Sequence, residues 1–310
     1  MVANGLYFDT ATMYYRSFFA VPESVTAPDG TPSGAIRGFL EMTSTFIEKF
    51  PAKRIAFAWD TDWRPQWRVD LVPSYKTHRI DEQSSDDGFE LIPDNLSPQI
   101  SAIAQIIDAI GIARIGQVDF EADDILGTLV ANTKTNTFVV TGDRDLFQLV
   151  NDKSKNYVIS LNKGMKNLEV ITDEYLLEKF GIRGSQYATF SALRGDPSDG
   201  LPGVKGIGEK TAADLVAKFG SMNKIIAAAK ADHDSIKKYA KENILSSQDY
   251  LAAAMKVVSV RTDGKLPKSL EIPTKIKNPK ELEFIVNDWG VSKQVNRLLK
   301  SLKLPILVQK

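Results

Sequence analysis

The chain has 310 residues, 43% hydrophobic and 25% charged, enough to bury a sizeable core in two domains or one large one. It has no cysteine and only two histidines, His78 and His233, which excludes disulfides, thiolate metal sites and a cysteine nucleophile, and argues against a histidine-rich metal site. Formal charge balances at 39 Lys+Arg against 39 Asp+Glu, yet residues 1–200 hold 19 bases against 28 acids and residues 201–310 hold 20 against 11. An acidic half suits cations, and a basic half suits a polyanion. No segment approaches about 20 apolar residues, and the N-terminus lacks a basic stretch followed by an apolar run. A soluble, cytoplasmic protein with no membrane contact is therefore expected.

In chain order, GLYFD (5–9) reads as a strand, Gly34 to Phe50 as a helix and RIAFAWD (54–60) as a second strand. Residues 61–97 form a long polar insertion of the kind that makes lids or disordered segments. Pro98 to Ile110 is a strongly periodic helix, followed by the short run Gly111 to Ile115 and an acidic helix from Glu121. TFVVTGDRD (137–145) contains a further strand, YVISLN and LEVIT read as a hairpin, and a helix covers 173–180. From about residue 182 the pattern is mostly helical with Lys-rich faces. The expected class is α/β: a central, mostly parallel sheet layered with helices over residues 1–181, then a helical region over 182–310.

The acids have a pattern. Asp9 ends the first strand, Asp60 the second, and Asp143 with Asp145 follow the strand at 137–141. In open α/β sheets the carboxyl ends of parallel strands share one edge, where ligands bind. The stretch QVDFEADDILGTLV adds Asp119, Glu121, Asp123 and Asp124 at a helix start, more than a helix dipole needs. Asp196 and Asp199 lie three apart near a turn. Such a cluster needs compensation, either by raised pKa values or by hard divalent cations such as Mg2+ or Mn2+.

The stretch LPGVKGIGEKTAADLVAKFGS (201–221) reads as two helical patterns around a glycine-punctuated hairpin. Gly203, Gly206 and Gly208 allow tight turning and close backbone approach, the amides near Thr211 can donate to a phosphate, and Lys205 and Lys210 add charge. Contacts of that kind do not read bases, so duplex binding independent of sequence is expected.

Taken together, DTATMYYRSFFA, AFAWD, YKTHR, FEADDILGTL, TGDRDLFQLV and GDPSDGLPGVKGIGEKTA resemble the motifs of structure-specific 5′ nucleases, the flap endonuclease group. The resemblance is strongest to the 5′-nuclease domain of bacterial DNA polymerase I, and a stand-alone member of the group is expected. The resemblance covers roughly residues 5–290 and implies a PIN-like nuclease core. It implies that Asp9, Asp60, Glu121, Asp123, Asp124, Asp143, Asp145, Asp196 and Asp199 serve two divalent cations, those through Asp124 mainly the first and the later four the second. It further implies that Lys76 and Arg79 contact the scissile phosphate, that Arg16 fills the usual basic position, and that Tyr75 stacks on the terminal base pair. The 61–97 insertion would be a helical arch over a single strand, with Trp63 and Trp67 favoured as core anchors over stacking platforms. The 201–221 motif looks like a helix–hairpin–helix that grips duplex DNA and often carries a K+ ion. A monomeric exonuclease or flap endonuclease acting on 5′-ended or branched DNA, and on RNA primers in RNA–DNA hybrids, is expected. A PIN-type ribonuclease and a non-catalytic DNA-binding scaffold are the alternatives.

Overall fold

The structure is a computed structural model that describes residues 2–80 and 90–307. Among these residues β1 (Gly5–Asp9), β2 (Ile55–Ala58), β3 (Ala113–Ile115), β4 (Thr137–Thr141), β5 (Asn156–Ser160) and β6 (Glu169–Ile171) form one sheet, in the order β3-β2-β1-β4-β5-β6. Every neighbouring pair is parallel except β5 and β6, which make the expected antiparallel hairpin. Helices α1 (Thr10–Ala20), α2 (Gly34–Lys49), α3 (Gln66–Leu71), α4 (Ser97–Ile110), α5 (Ala122–Thr133) and α6 (Asp173–Phe180) are interleaved with the strands. Helices α7 (Tyr187–Arg194), α8 (Glu209–Phe219), α9 (Met222–Lys230), α10 (Lys238–Ser246) and α11 (Gln248–Val258) follow, and α12 (Pro279–Trp289) and α13 (Ser292–Ser301) come last.

Strand alternation sorts the core into two layers. Leu6, Phe8, Ile55, Phe57, Val140 and Ile159 pack with residues of α1, α2 and α4. Tyr7, Ala56, Ala58, Val139 and Val158 pack with α5 and with α7 to α11, so the helical region sits on the sheet rather than beside it. The expected partition at 181 and 182 does not describe the last two helices. Leu282, Val286, Val295 and Leu298 are buried against α2 and α4 on the opposite layer. An irregular stretch from Ser259 to Asn278 carries the chain back: Leu270 O accepts from Ile55 N (3.0 Å), and Ile110 O accepts from Lys277 N (3.2 Å).

Helix α1 has no counterpart among the expected elements; its bulky run MYYRSFF hides a helix capped by Asp9, whose side chain accepts from Thr12 N. Residues 201–208 are not helical, so the helix before the glycine hairpin is α7, and the motif spans 187–219 rather than 201–221. Of the 61–97 insertion, the structure describes α3, a single 3-10 turn at Thr77–Arg79 and a bridge between Ile80 and Glu90. The remainder of the expected arch, residues 81–89, lies outside the described residues. No described helix is long and apolar enough to cross a membrane.

Candidate active site at the strand ends

The strand order reverses between β1 and β4, the point where open α/β sheets form a crevice at their carboxyl edge. Asp9 sits there, its carboxylate accepting from Thr12 N (3.2 Å), Thr12 Oγ1 (2.5 Å) and, across the junction, Thr141 Oγ1 (2.7 Å). Asp60 lies two residues beyond β2 and Asp143 two beyond β4. Asp60 Oδ1 accepts from Ala122 N at 2.8 Å, which ties the end of β2 to the start of α5.

The four acids of the 119–124 stretch have four different fates. Asp119 is exposed, on a left-handed turn with φ 65°. Glu121 caps α5, and its buried carboxylate accepts from Tyr75 Oη (3.0 Å) and Lys76 Nζ (2.6 Å). Asp124 is 0% exposed and accepts from both Arg68 terminal nitrogens (2.8 Å each), Glu121 N (3.1 Å) and Arg261 N (2.8 Å). Its oxygens are engaged by protein donors, so in this structure Asp124, expected as a cation ligand, anchors Arg68. The surplus charge of this helix start is therefore answered partly by Arg68 and Lys76. Asp123 is the exception, since it accepts no hydrogen bond from the described residues.

Asp123 is pushed well above the usual carboxylate range by burial and by the neighbouring Asp143 and Asp9. Burial lifts Asp60 to about 7, although Lys76 opposes the shift, and burial with Asp199 nearby lifts Asp143 to about 6. Asp145 is also raised well above its ordinary value by burial, Asp143 and Asp199, and accepts from Ser191 Oγ at 2.8 Å. Asp199 accepts from Arg79 (3.1 Å), whereas Asp196 is turned toward Arg194 (3.1 Å) and Ser198 (2.5 Å) at the cap of its turn. The acids thus make two linked groups, Asp9, Asp60, Glu121, Asp123 and Asp143 around Lys76, and Asp143, Asp145 and Asp199 beside it.

Glu121, Asp123, Asp145 and Asp199 line an internal cavity of about 10 Å³, the room that one water or one small ion needs. Among the described residues, no three acidic or histidine side chains stand close enough to share an ion as they are, so ligation would require rotation into that cavity. The donor set is all oxygen, which suits Mg2+ or Mn2+. Outside it, Asp60, Asp143, Lys76, Arg79, Arg16 and Trp63 border an open cleft of about 670 Å³.

The base of the insertion is docked onto the 196–200 turn. Lys76 N donates to Asp199 O (3.0 Å), and Ser74 Oγ donates to Gly200 O (2.7 Å). Gly200 has φ 71°, and a Cβ there would lie 2.0 Å from Ser74 O, so a side chain would prise the two apart. Tyr75 is 3% exposed, with its hydroxyl on Glu121. Its ring is enclosed in the core, so in this structure Tyr75, expected to stack on a terminal base pair, orients Glu121. Arg68, which the sequence reading passed over, donates Nε to Val257 O (3.1 Å) as well as binding Asp124, and so joins α3, α5 and the end of α11. The only local hint was an arginine set within the apolar run of QWRVDLV. Trp67 donates its Nε1 to Asp119 O (3.1 Å) but is only half-buried and packs in neither core layer, whereas Trp63 borders the cleft.

In the glycine hairpin, Val204 and Ile207 are buried anchors, and Lys205, Gly206, Gly208 and Lys210 are exposed. Gly203 has φ 70°, and a Cβ there would lie 2.4 Å from Arg194 O. Gly208 caps α8 without a side chain and with nothing within 4 Å of its missing Cβ, which leaves the amides at that helix start open to an anion.

Residues 5–181 match the family profile of the 5′-3′ exonuclease N-terminal resolvase-like domain, and residues 182–282 that of the 5′-3′ exonuclease C-terminal SAM fold. A "5′-3′ exonuclease" of Streptomyces coelicolor is 43% identical over 296 residues, covering 95% of this chain and 98% of that protein. One of Mycobacterium tuberculosis is 42% identical over 307 residues, covering 95% and 96%. A DNA polymerase I of Mycobacterium bovis is 36% identical over 222 residues, 70% of this chain but 23% of that protein. The fold is shared with the T5 5′-exonuclease solved with zinc (TM-score 0.61, 17% identity, 97% of each chain). It is shared too with the catalytic core of Rad2 in complex with DNA substrate (TM-score 0.59, 15% identity, 97% of this chain and 93% of that one). With residues 5–181 and 182–282 matched by its two domain profiles and a relative 43% identical over 95% of the chain, the chain belongs to the 5′-3′ exonuclease family.

Proposed function

We propose that the protein hydrolyses phosphodiesters at the 5′ ends or 5′ flaps of DNA, using two divalent cations held among its carboxylates. The observation that carries this reading is the gathering of acids from β1, β2, β4, α5 and the 196–199 turn at one sheet edge, with Lys76 and Arg79 beside them. Asp9, Asp60, Glu121, Asp123 and Asp143 would serve one cation and Asp143, Asp145 and Asp199 the other, with Asp196 acting through Arg194 and Ser198. When bound, Mg2+ or Mn2+ would supply Lewis acidity and neutralise the charge that builds on the phosphate.

The chain's own residues do the rest. Lys76 stays protonated at neutral pH because Glu121, with Asp199 and Asp60 nearby, outweighs its burial, so it can meet a phosphate as a cation by exchanging Glu121 for it. Arg79 is half exposed at the mouth of the cleft, and Arg16 lines the wall nearby. Duplex is held by the amides at the start of α8 with Lys205 and Lys210, without base readout. A K+ on the hairpin belongs to this reading, resting on carbonyls other than Val204 O and Lys205 O, which accept from Ile207 N and Asn243 Nδ2. RNA primers on DNA as further substrates, a monomeric state and a cytoplasmic location complete the proposal.

A 5′-labelled panel of flap, nick, blunt duplex, RNA–DNA hybrid and unstructured RNA tests it: the flap should be cut fastest, and only with a divalent cation. Preferential cutting of unstructured RNA would overturn the reading. Lys76→Ala should lower kcat on the flap by about 100- to 1000-fold, the usual loss when one charge-stabilising donor is removed. An unchanged kcat would remove Lys76 from the chemistry.

The acids also make stability depend on pH. Unfolded, Asp60 and Asp143 release their protons near 3.8, whereas folded they hold them to about 7 and about 6. Between pH 4 and 7 the native state therefore binds more protons than the unfolded chain, and stability without dications falls as pH rises through that interval. Mg2+ competes with those protons, so its increment in Tm should grow from pH 5 to pH 8. Equal increments at the two pH values would contradict this.

A further inference from the structure

Helix α1 leaves the site with a stripe of side chains. Met13, Tyr14 and Ser17 are buried beneath it, while Thr12, Tyr15, Arg16 and Phe19 line the 670 Å³ cleft, together with Lys76 and Asp143. Phe19 ends the stripe and is 76% exposed. Its described aromatic neighbour is Phe18, set edge-on at 5.2 Å and half buried in the core. A lone exposed apolar ring is ordinary on a protein surface. This one borders a charged cleft whose lining also includes Arg16, Lys76 and Arg79. Aromatic faces set among basic groups are how proteins hold unpaired nucleotides without reading sequence, because every base has a π-face.

We propose that Phe19 is a stacking platform for an unpaired base of the strand that enters the cleft. The inference rests on the nuclease reading above and adds the nucleotide contact that fixes how far single strand extends from the cut. Asp9 caps α1 and Phe19 lies ten residues on, about 15 Å along the helix, the length of roughly four stacked nucleotides. The base concerned therefore lies within about four nucleotides of the scissile bond. The contact would favour a 5′ flap or frayed end over a fully paired one.

The test uses the full chain in EDTA, so that binding is read without cleavage. Flap substrates carry 2-aminopurine at each of the first five unpaired positions, and circular-dichroism melting confirms that each variant is folded. Wild type should quench one position strongly. Phe19→Ala should lose that quenching and bind the flap about 5- to 100-fold more weakly, while affinity for a fully paired nicked duplex stays the same. Phe19→Trp should restore quenching, and Phe19→Leu, which keeps bulk without a π-face, should not. Quenching equal in wild type and Phe19→Ala overturns the proposal, as does full rescue by leucine. If the wild type cuts flaps with Mg2+ while quenching ignores Phe19, the stacking role fails alone. If quenching depends on Phe19 but no DNA is cut under any divalent cation, the nuclease reading fails and the stacking contact stands.

Discussion

Replacing Arg68 by alanine should cost about 3–5 kcal/mol of folding stability, the usual loss when one partner of a buried ion pair is removed. Asp124 is 0% exposed, and Arg68 is its bidentate cation, so the variant strands a carboxylate that water cannot reach. Against a typical total of roughly 5–15 kcal/mol, that loss would leave a marginal protein. Denaturant titration of the single variants and of Arg68→Ala/Asp124→Ala measures the coupling. The double variant should be markedly more stable than the sum of the singles predicts, because it no longer buries an unpaired charge. Simple additivity would show that the pair is not the structural unit described here. Activity should fall with stability, since Arg68 joins the base of the insertion to the helix that bears Glu121 and Asp123.

Asp123→Asn should do the opposite to the fold. Asp123 accepts no hydrogen bond from the described residues and is crowded by Asp143 and Asp9. Replacing its buried, crowded carboxyl should leave Tm in EDTA at pH 8 unchanged or raise it, and about 1 kcal/mol of relief corresponds to roughly 2 °C in a chain of this size. Flap cleavage should nevertheless fall by at least about 100-fold, because even partners one step removed from a metal cost 10- to 100-fold. Divalent stabilisation of the variant should shrink in parallel. A variant that melts several degrees lower and cuts at the wild-type rate would assign Asp123 to the fold rather than to the cations. The pair of experiments separates two carboxylates that are adjacent in the chain: one holds the structure and the other strains it.

Much of this was legible from local pattern. The apolar runs ending in Asp9, Asp60 and Asp143 announced strands whose ends bear acids, and parallel pairing brings those ends together. What stayed hidden was set by partners far away in the chain. Arg68 and Asp124 are 56 residues apart, and nothing near either one shows that they meet. Tyr75 sits in a motif that suggested an exposed aromatic, yet Glu121, 46 residues on, draws it into the core. Helix α1 escaped notice because β-branched and aromatic residues have weak helix propensity, and packing on α2 overrides it. The helix before the glycine hairpin was displaced because residues 201–208 carry apolar anchors, Val204 and Ile207, at helix-like spacing without being helical.

The return of α12 and α13 onto α2 and α4 bears on how the protein is made. Arg297 of α13 clasps Glu41 and Glu48 of α2, and the apolar flanks of α2 and α4 turned from the sheet are covered by residues past 279. At ordinary elongation rates those faces emerge from the ribosome about 10–40 s before their cover does. Through that interval the nascent chain carries an open oily groove that chaperones can hold and proteases can reach.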